Sequence, residues 1–104
     1  MASSSRKKYV VVMDRRAEKE IGESFIYYQK ISLRLAQRYY KAIKQAAKDL
    51  ESHPHYQLKY DDYRCHAVRG FPFLLHYKVD ETHRIVRIGG VIHTSRNPDS
   101  AYLK

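Results

Sequence analysis

Leu33, Ala36, Tyr40, Ile43, Ala47 and Leu50 recur in strict alternation of three- and four-residue steps, the cleanest pattern in the chain. A period near 3.6 places all six on one face of a helix over about 33–51. Just before it, Ala17, Ile21, Phe25, Tyr28 and Ile31 form the apolar stripe of a first helix over about 15–31. Only Ser32, a good N-cap residue, lies between the two. Two amphipathic helices with almost no loop fold back as an αα-hairpin, and both stripes need a common surface to bury against.

The flanking segments supply that surface as β structure. Residues 9–13, YVVVM, suit a pleated, half-buried strand, and Asp14 stands where it can cap the first helix. Ser52-His53-Pro54 ends the second helix, because Pro54 disfavours helical backbone at His53. Residues 55–62 read as a polar, Tyr-containing connector, and three strands follow. Residues 63–68 lead to a turn at Arg69-Gly70. Residues 71–79 put Phe71, Phe73, Leu75, Tyr77 and Val79 on one face and Leu74, His76 and Lys78 on the other. A hairpin loop over 80–83 leads to the last strand, 84–94. There Val86, Ile88 and Ile92 point one way and Arg87, Val91 and His93 the other. Gly89-Gly90 within that strand marks a bulge, a bend or a close backbone approach. The order β-α-α-β-β-β predicts an α+β fold, with the αα-hairpin packed on one face of a small antiparallel sheet. If the helices cover the Phe71 row, the open face presents His76, Lys78, Arg87 and His93. The chain divides into a flexible basic tail (1–8), one domain (9–98) and a short C-terminal tail (99–104).

Lys and Arg total 20 against 11 Asp and Glu, a net charge of +9, which favours nucleic acid, an anionic membrane surface or an acidic protein as partner. The single cysteine, Cys65, excludes a disulfide framework and a Cys-based zinc site. Lying in an apparent strand, it reads as an inert buried thiol of a cytoplasmic protein. No apolar run is long enough to span a membrane, and the N-terminal residues lack the apolar core of a signal peptide. GxSxG, P-loop, HExxH and GxGxxG motifs are absent, and the sheet carries too few carboxylates for a glycosidase pair. His53 and His55 have no third ligand at a sensible spacing, so neither a metal nor a cofactor is expected.

What remains is a set of cations and histidines. Such a set can neutralise phosphates and stabilise a phosphorane-like transition state. With a proton-transferring histidine it can cleave RNA through the 2′-OH. His76 and His93 are then the acid and base candidates, with Arg64, Arg87 and Arg96 as charge stabilisers. The competing reading makes them exposed polar residues on the free face of a half-buried sheet. Arg34, Arg38, Lys41, Lys44 and Lys48 form a basic face on the second helix, either solvated or a contact surface for an acidic partner.

Four pieces occur in a telling order: Leu50…Pro54, Tyr63-Arg64, Phe71-Pro72-Phe73 with Tyr77, and His93-x-x-Arg96-x-Pro98. Together, over about residues 9–98, they resemble the RelE/ParE superfamily of toxins from bacterial type II toxin–antitoxin modules. The resemblance implies a small basic toxin neutralised by a cognate antitoxin that wraps around it. RelE-like members are ribosome-dependent mRNA endonucleases, and ParE-like members poison DNA gyrase. RelE-like nucleases often carry a key Arg on the third strand, near the position of Leu74 here. The FPF and HxxRxP pattern is more similar to the ParE and plasmid-stabilisation branch. The function so implied is binding of gyrase through Arg64, Arg69, Arg87, His93 and Arg96, with Arg34, Arg38, Lys41, Lys44 and Lys48 toward an acidic, partly disordered antitoxin. The alternatives are an mRNA interferase using His76, His93 and Arg96 on the ribosome, and a non-toxic member that binds only antitoxin or nucleic acid. No membrane partner is expected.

Overall fold

The computed structural model describes residues 8–56, 58–60 and 62–94. Arg96 and Pro98 of the HxxRxP pattern, residues 1–7 of the basic tail and residues 99–104 lie outside them. The elements run β1 (Val10–Met13), α1 (Arg15–Ile31), α2 (Leu33–Ser52), β2 (Leu58–Tyr60), β3 (Tyr63–Ala67), β4 (Phe73–Asp80) and β5 (Ile85–His93). They form one sheet in the order β1-β5-β4-β3-β2, with the helical hairpin against one face. The hairpin strands pair antiparallel, as expected. β1 pairs parallel to β5: the helical hairpin carries the chain from β1 to β2 at the opposite edge, and the antiparallel strands that follow bring β5 back beside β1. The short β2 adds a strand where a connector was expected.

Ser32 ends α1 and caps α2, its hydroxyl accepting from the Leu35 N–H at 3.2 Å. Asp14 precedes α1 but makes no capping bond with its side chain; its carboxylate faces Arg87 instead, 3.4 Å away. α2 ends at Ser52, with Pro54 just beyond.

The buried face of α2 is rotated from the one the spacing suggests. Ala36, Tyr39, Ile43, Ala46 and Leu50 are buried, whereas Leu33 is 54% and Tyr40 48% exposed. On α1, Ala17 and Ile21 are buried, Phe25 and Tyr28 are half-buried, and Ile31 is exposed. The core joins these stripes to Phe73, Leu75, Tyr77, Val86, Ile88 and Val91 of the sheet. Tyr39 meets Phe71, Phe73 and Tyr28 with centroids 5.1–5.4 Å apart. Tyr77 donates its hydroxyl to the Pro54 carbonyl at 2.7 Å, tying the segment after α2 to the sheet. Burial pushes the pKa of both hydroxyls up to about 12, so both stay neutral.

Two turns are fixed locally. The Phe71 N–H donates to the Val68 carbonyl, and Gly70 has φ +87. This is a type II geometry with Gly at the position that needs positive φ. Val68 is 1% exposed, so the turn is anchored in the core. At the β4–β5 hairpin, Asp80 accepts from the His83 N–H, and Arg84 takes a left-handed φ of 54 with its guanidinium over the Tyr9 ring.

Candidate functional site

The expected open-face set separates in the structure, and a β-bulge is the reason. Tyr77 pairs with Ile88 and His76 with Gly90, so Gly89 is an extra residue in β5. Directly paired residues on antiparallel strands share a face. Beyond the bulge Val91 therefore joins Leu75, and His93 joins Phe73, on the helix side. The His93 ring meets Phe73 edge-on at 5.0 Å, and His93 lines a cavity of about 560 Å³ with Glu20, Glu23, Tyr27 and Tyr28 of α1. Ile92 moves to the open face with Leu74. His76 and His93 thus lie on opposite faces of the sheet and do not converge on one substrate atom.

The open face keeps His76, Lys78 and Arg87. The His76 ring stacks on Tyr63 at 4.3 Å, and Lys78 Nζ sits 4.6 Å from the same tyrosine ring. Burial lowers the His76 pKa and Arg16 lowers it further, against an opposing pull from Glu20. At neutral pH it is an uncharged imidazole rather than a phosphate-binding cation. Lys78 is 3.5 Å from Asp62, and Arg87 faces Asp14, so both cations of this face already have carboxylate partners. Cys65, the β3 neighbour of His76, is a buried free thiol, 8% exposed.

The other predicted residues fall elsewhere. Arg64 is half-buried on the helix side and donates to the Tyr56 carbonyl at 2.6 Å, which makes it a brace for the segment after α2. Arg69 projects from the Gly70 turn. The α2 cations are all exposed but divide between two flanks. Lys44 and Lys48 rim a groove of about 910 Å³ between α1, α2 and β1, floored by Val11, Met13, Ile21, Phe25, Ile26 and Tyr40. Arg38 and Lys41 line a different cleft of about 930 Å³, which Arg69, His66 and Phe71 close from the sheet side.

His66 is a residue that sequence reasoning passed over. Its Nε2 lies 3.1 Å from Asp49 Oδ2, clipping β3 to α2, and its ring stacks on Tyr56 at 4.1 Å. Burial works to raise the Asp49 pKa, but hydrogen bonds from Gln45 and His66 outweigh it and hold the carboxyl below its usual range. Nothing in the local sequence signals this pair, since 17 residues separate its members.

A sequence model of the ParE toxin of type II toxin–antitoxin systems (parDE) matches residues 11–98, from β1 to past the end of β5. The chain belongs to the ParE toxin family. A solved chain of the chromosomal ParDE toxin–antitoxin system from P. aeruginosa shares the fold at a TM-score of 0.72 and 14% identity, over 83% of this chain and 96% of that one. A search of curated proteins returns no match. At that identity the shared feature is the backbone fold; in this chain the αα-hairpin leaves a groove beside the edge strand β1. No helix among the described residues is long and apolar enough to cross a membrane.

Proposed function

We propose that this ParE-family protein is a toxin that arrests growth by binding DNA gyrase, and that an acidic antitoxin neutralises it from the groove between α1, α2 and β1. The observation that carries the neutralisation half is the groove itself. Ile26 and Tyr40 line it while 53% and 48% exposed, and Lys44 and Lys48 stand on its rim. An apolar trough of this size with cations at its lip suits an amphipathic segment that is acidic on its outer side. β1 is an edge strand beside it, so an extended stretch of the same partner has a backbone to pair with.

Binding rather than RNA cleavage is supported by the bulge at Gly89, which keeps His76 and His93 from acting as one acid/base pair. Membership of the ParE toxin family supports gyrase as the target. The test is supercoiling of relaxed plasmid by purified gyrase with increasing amounts of the protein, alongside ribosome-bound mRNA as substrate. Inhibition of supercoiling with intact mRNA is the expected result. Ribosome-dependent cleavage that disappears in His93→Ala, with gyrase unaffected, would overturn the proposal.

A further inference from the structure

Arg38 and Lys41 on α2 and Arg69 on the β3–β4 turn line one cleft, although they lie far apart in the chain. Among the described residues none of the three forms a salt bridge, whereas Arg16, Lys78 and Arg87 all do. The carboxylate in the cleft, Asp49, is already engaged by His66 and by Gln45, which donates to it at 3.0 Å. Three cations therefore face the same volume against a single carboxylate, Asp49, whose field also reaches Arg69. They are held on rigid supports: a helix on one side, and on the other a turn anchored by the buried Val68.

We infer that this cleft binds the phosphodiester backbone of nucleic acid. Convergent cations on a concave wall are the general means of neutralising successive phosphates. The α2 wall between the cations is built from the small side chains of Ala42 and Ala46, which let a backbone approach closely. The half-buried Phe71 ring gives a face on which an unpaired base can stack. An acidic polypeptide is better served on the opposite flank of α2, where the apolar groove lies. The two flanks share no lining residue, so an occupant of the groove leaves the cleft open. The inference goes beyond gyrase binding and does not rest on it.

The experiment is fluorescence anisotropy of a labelled 20-nucleotide DNA, single-stranded and duplex, titrated with the full chain at several salt concentrations. Each phosphate contact contributes about 0.9 to the slope of log K against log salt on duplex DNA. Arg69→Ala should lower the slope by about 0.9, and the Arg38→Ala/Lys41→Ala/Arg69→Ala variant by about 2.7. Those three contacts correspond to about a 40-fold loss of affinity between 50 and 200 mM salt. Lys44→Ala/Lys48→Ala should leave the slope unchanged, and Arg38→Lys/Arg69→Lys should retain it. Thermal melts of each variant control for folding. An unchanged slope in the triple variant, or an equal loss in the Lys44/Lys48 variant, refutes the site. Tighter binding of poly-glutamate than of DNA, lost in the triple variant, would make the cleft an acidic-peptide site and also refute it. Because DNA alone is the probe, a protein that fails to inhibit gyrase yet shows the expected slopes disproves the gyrase reading and leaves the cleft intact.

Discussion

His76 sits half-buried against Tyr63, and burial favours its neutral form. Its folded pKa is therefore below the value near 6.5 of an unfolded chain. Above that pH it is neutral in both states and has no effect on stability. As pH falls below about 6.5 the unfolded chain takes up the proton first, so stability drops until the folded pKa is passed. His76→Gln should remove this drop, seen as a smaller difference between urea midpoints at pH 7.5 and pH 5.5. Asp49 and Glu81, held below the usual carboxylate range, act in a separate window, below about pH 4. Gly70 illustrates a different residue-scale constraint. A Cβ there meets nothing within 4 Å, but φ +87 strains any L side chain. Gly70→Ala should cost about 1–2 kcal/mol in denaturant unfolding despite the open space. Gly90 is the converse case: its added Cβ would lie 3.3 Å from Glu20 Oε1, the oxygen that accepts from the Val91 N–H.

At the scale of elements, α2 shows how an apolar stripe is narrowed by packing. Leu33, Tyr40 and Ala47 share the periodicity of Ala36, Ile43 and Leu50, yet only the latter three are buried. Tyr39 and Ala46 complete the buried row, because the sheet meets the helix on that side while Tyr40 turns toward the α1 groove. Leu50→Ala should cost about 2–5 kcal/mol, as for a fully buried leucine. Leu33→Ala should change stability by less than about 0.5 kcal/mol. Equal losses for the two in guanidinium unfolding would show that the helix uses the face its spacing alone suggests. β5 is the second instructive element. Its Gly89 bulge places Val91 on the core side, 7% exposed, and carries His93 to the helix side with it.

At the scale of the molecule, the net charge of +9 is not spread as one basic face. Lys78 and Arg87 are matched by acids on the open sheet, Lys44 and Lys48 edge an apolar groove, and Arg38, Lys41 and Arg69 share a second cleft. On the proposed reading, neutralisation at the groove and contact with an anionic target at the cleft use separate surfaces. Tyr40→Asp places a charge in the groove and should weaken antitoxin binding while leaving growth arrest unchanged, measured by co-expression with and without the antitoxin. Raising salt should weaken the wild-type complex only in part, because an apolar floor is not screened. A complex that dissociates completely at high salt would place the antitoxin on the cations alone.

The helices, the three hairpin strands and the Gly70 turn were legible in the sequence, because each depends on local physics: helical period, strand alternation, and a positive φ that only glycine adopts freely. The order of these elements was legible for the same reason, whereas its ParE character came from the resemblance carried by the FPF and HxxRxP motifs. What the tertiary structure alone decided are the matters that depend on pairing across the chain. A strand's alternation assigns faces only until a bulge, and Gly89 becomes the extra residue only once β4 is placed against β5. That single residue moved His93 from the open face to the helix side. Likewise Arg69 belongs to a different segment from Arg38 and Lys41, and only the packing of the β3–β4 turn beside α2 brings the three to one cleft.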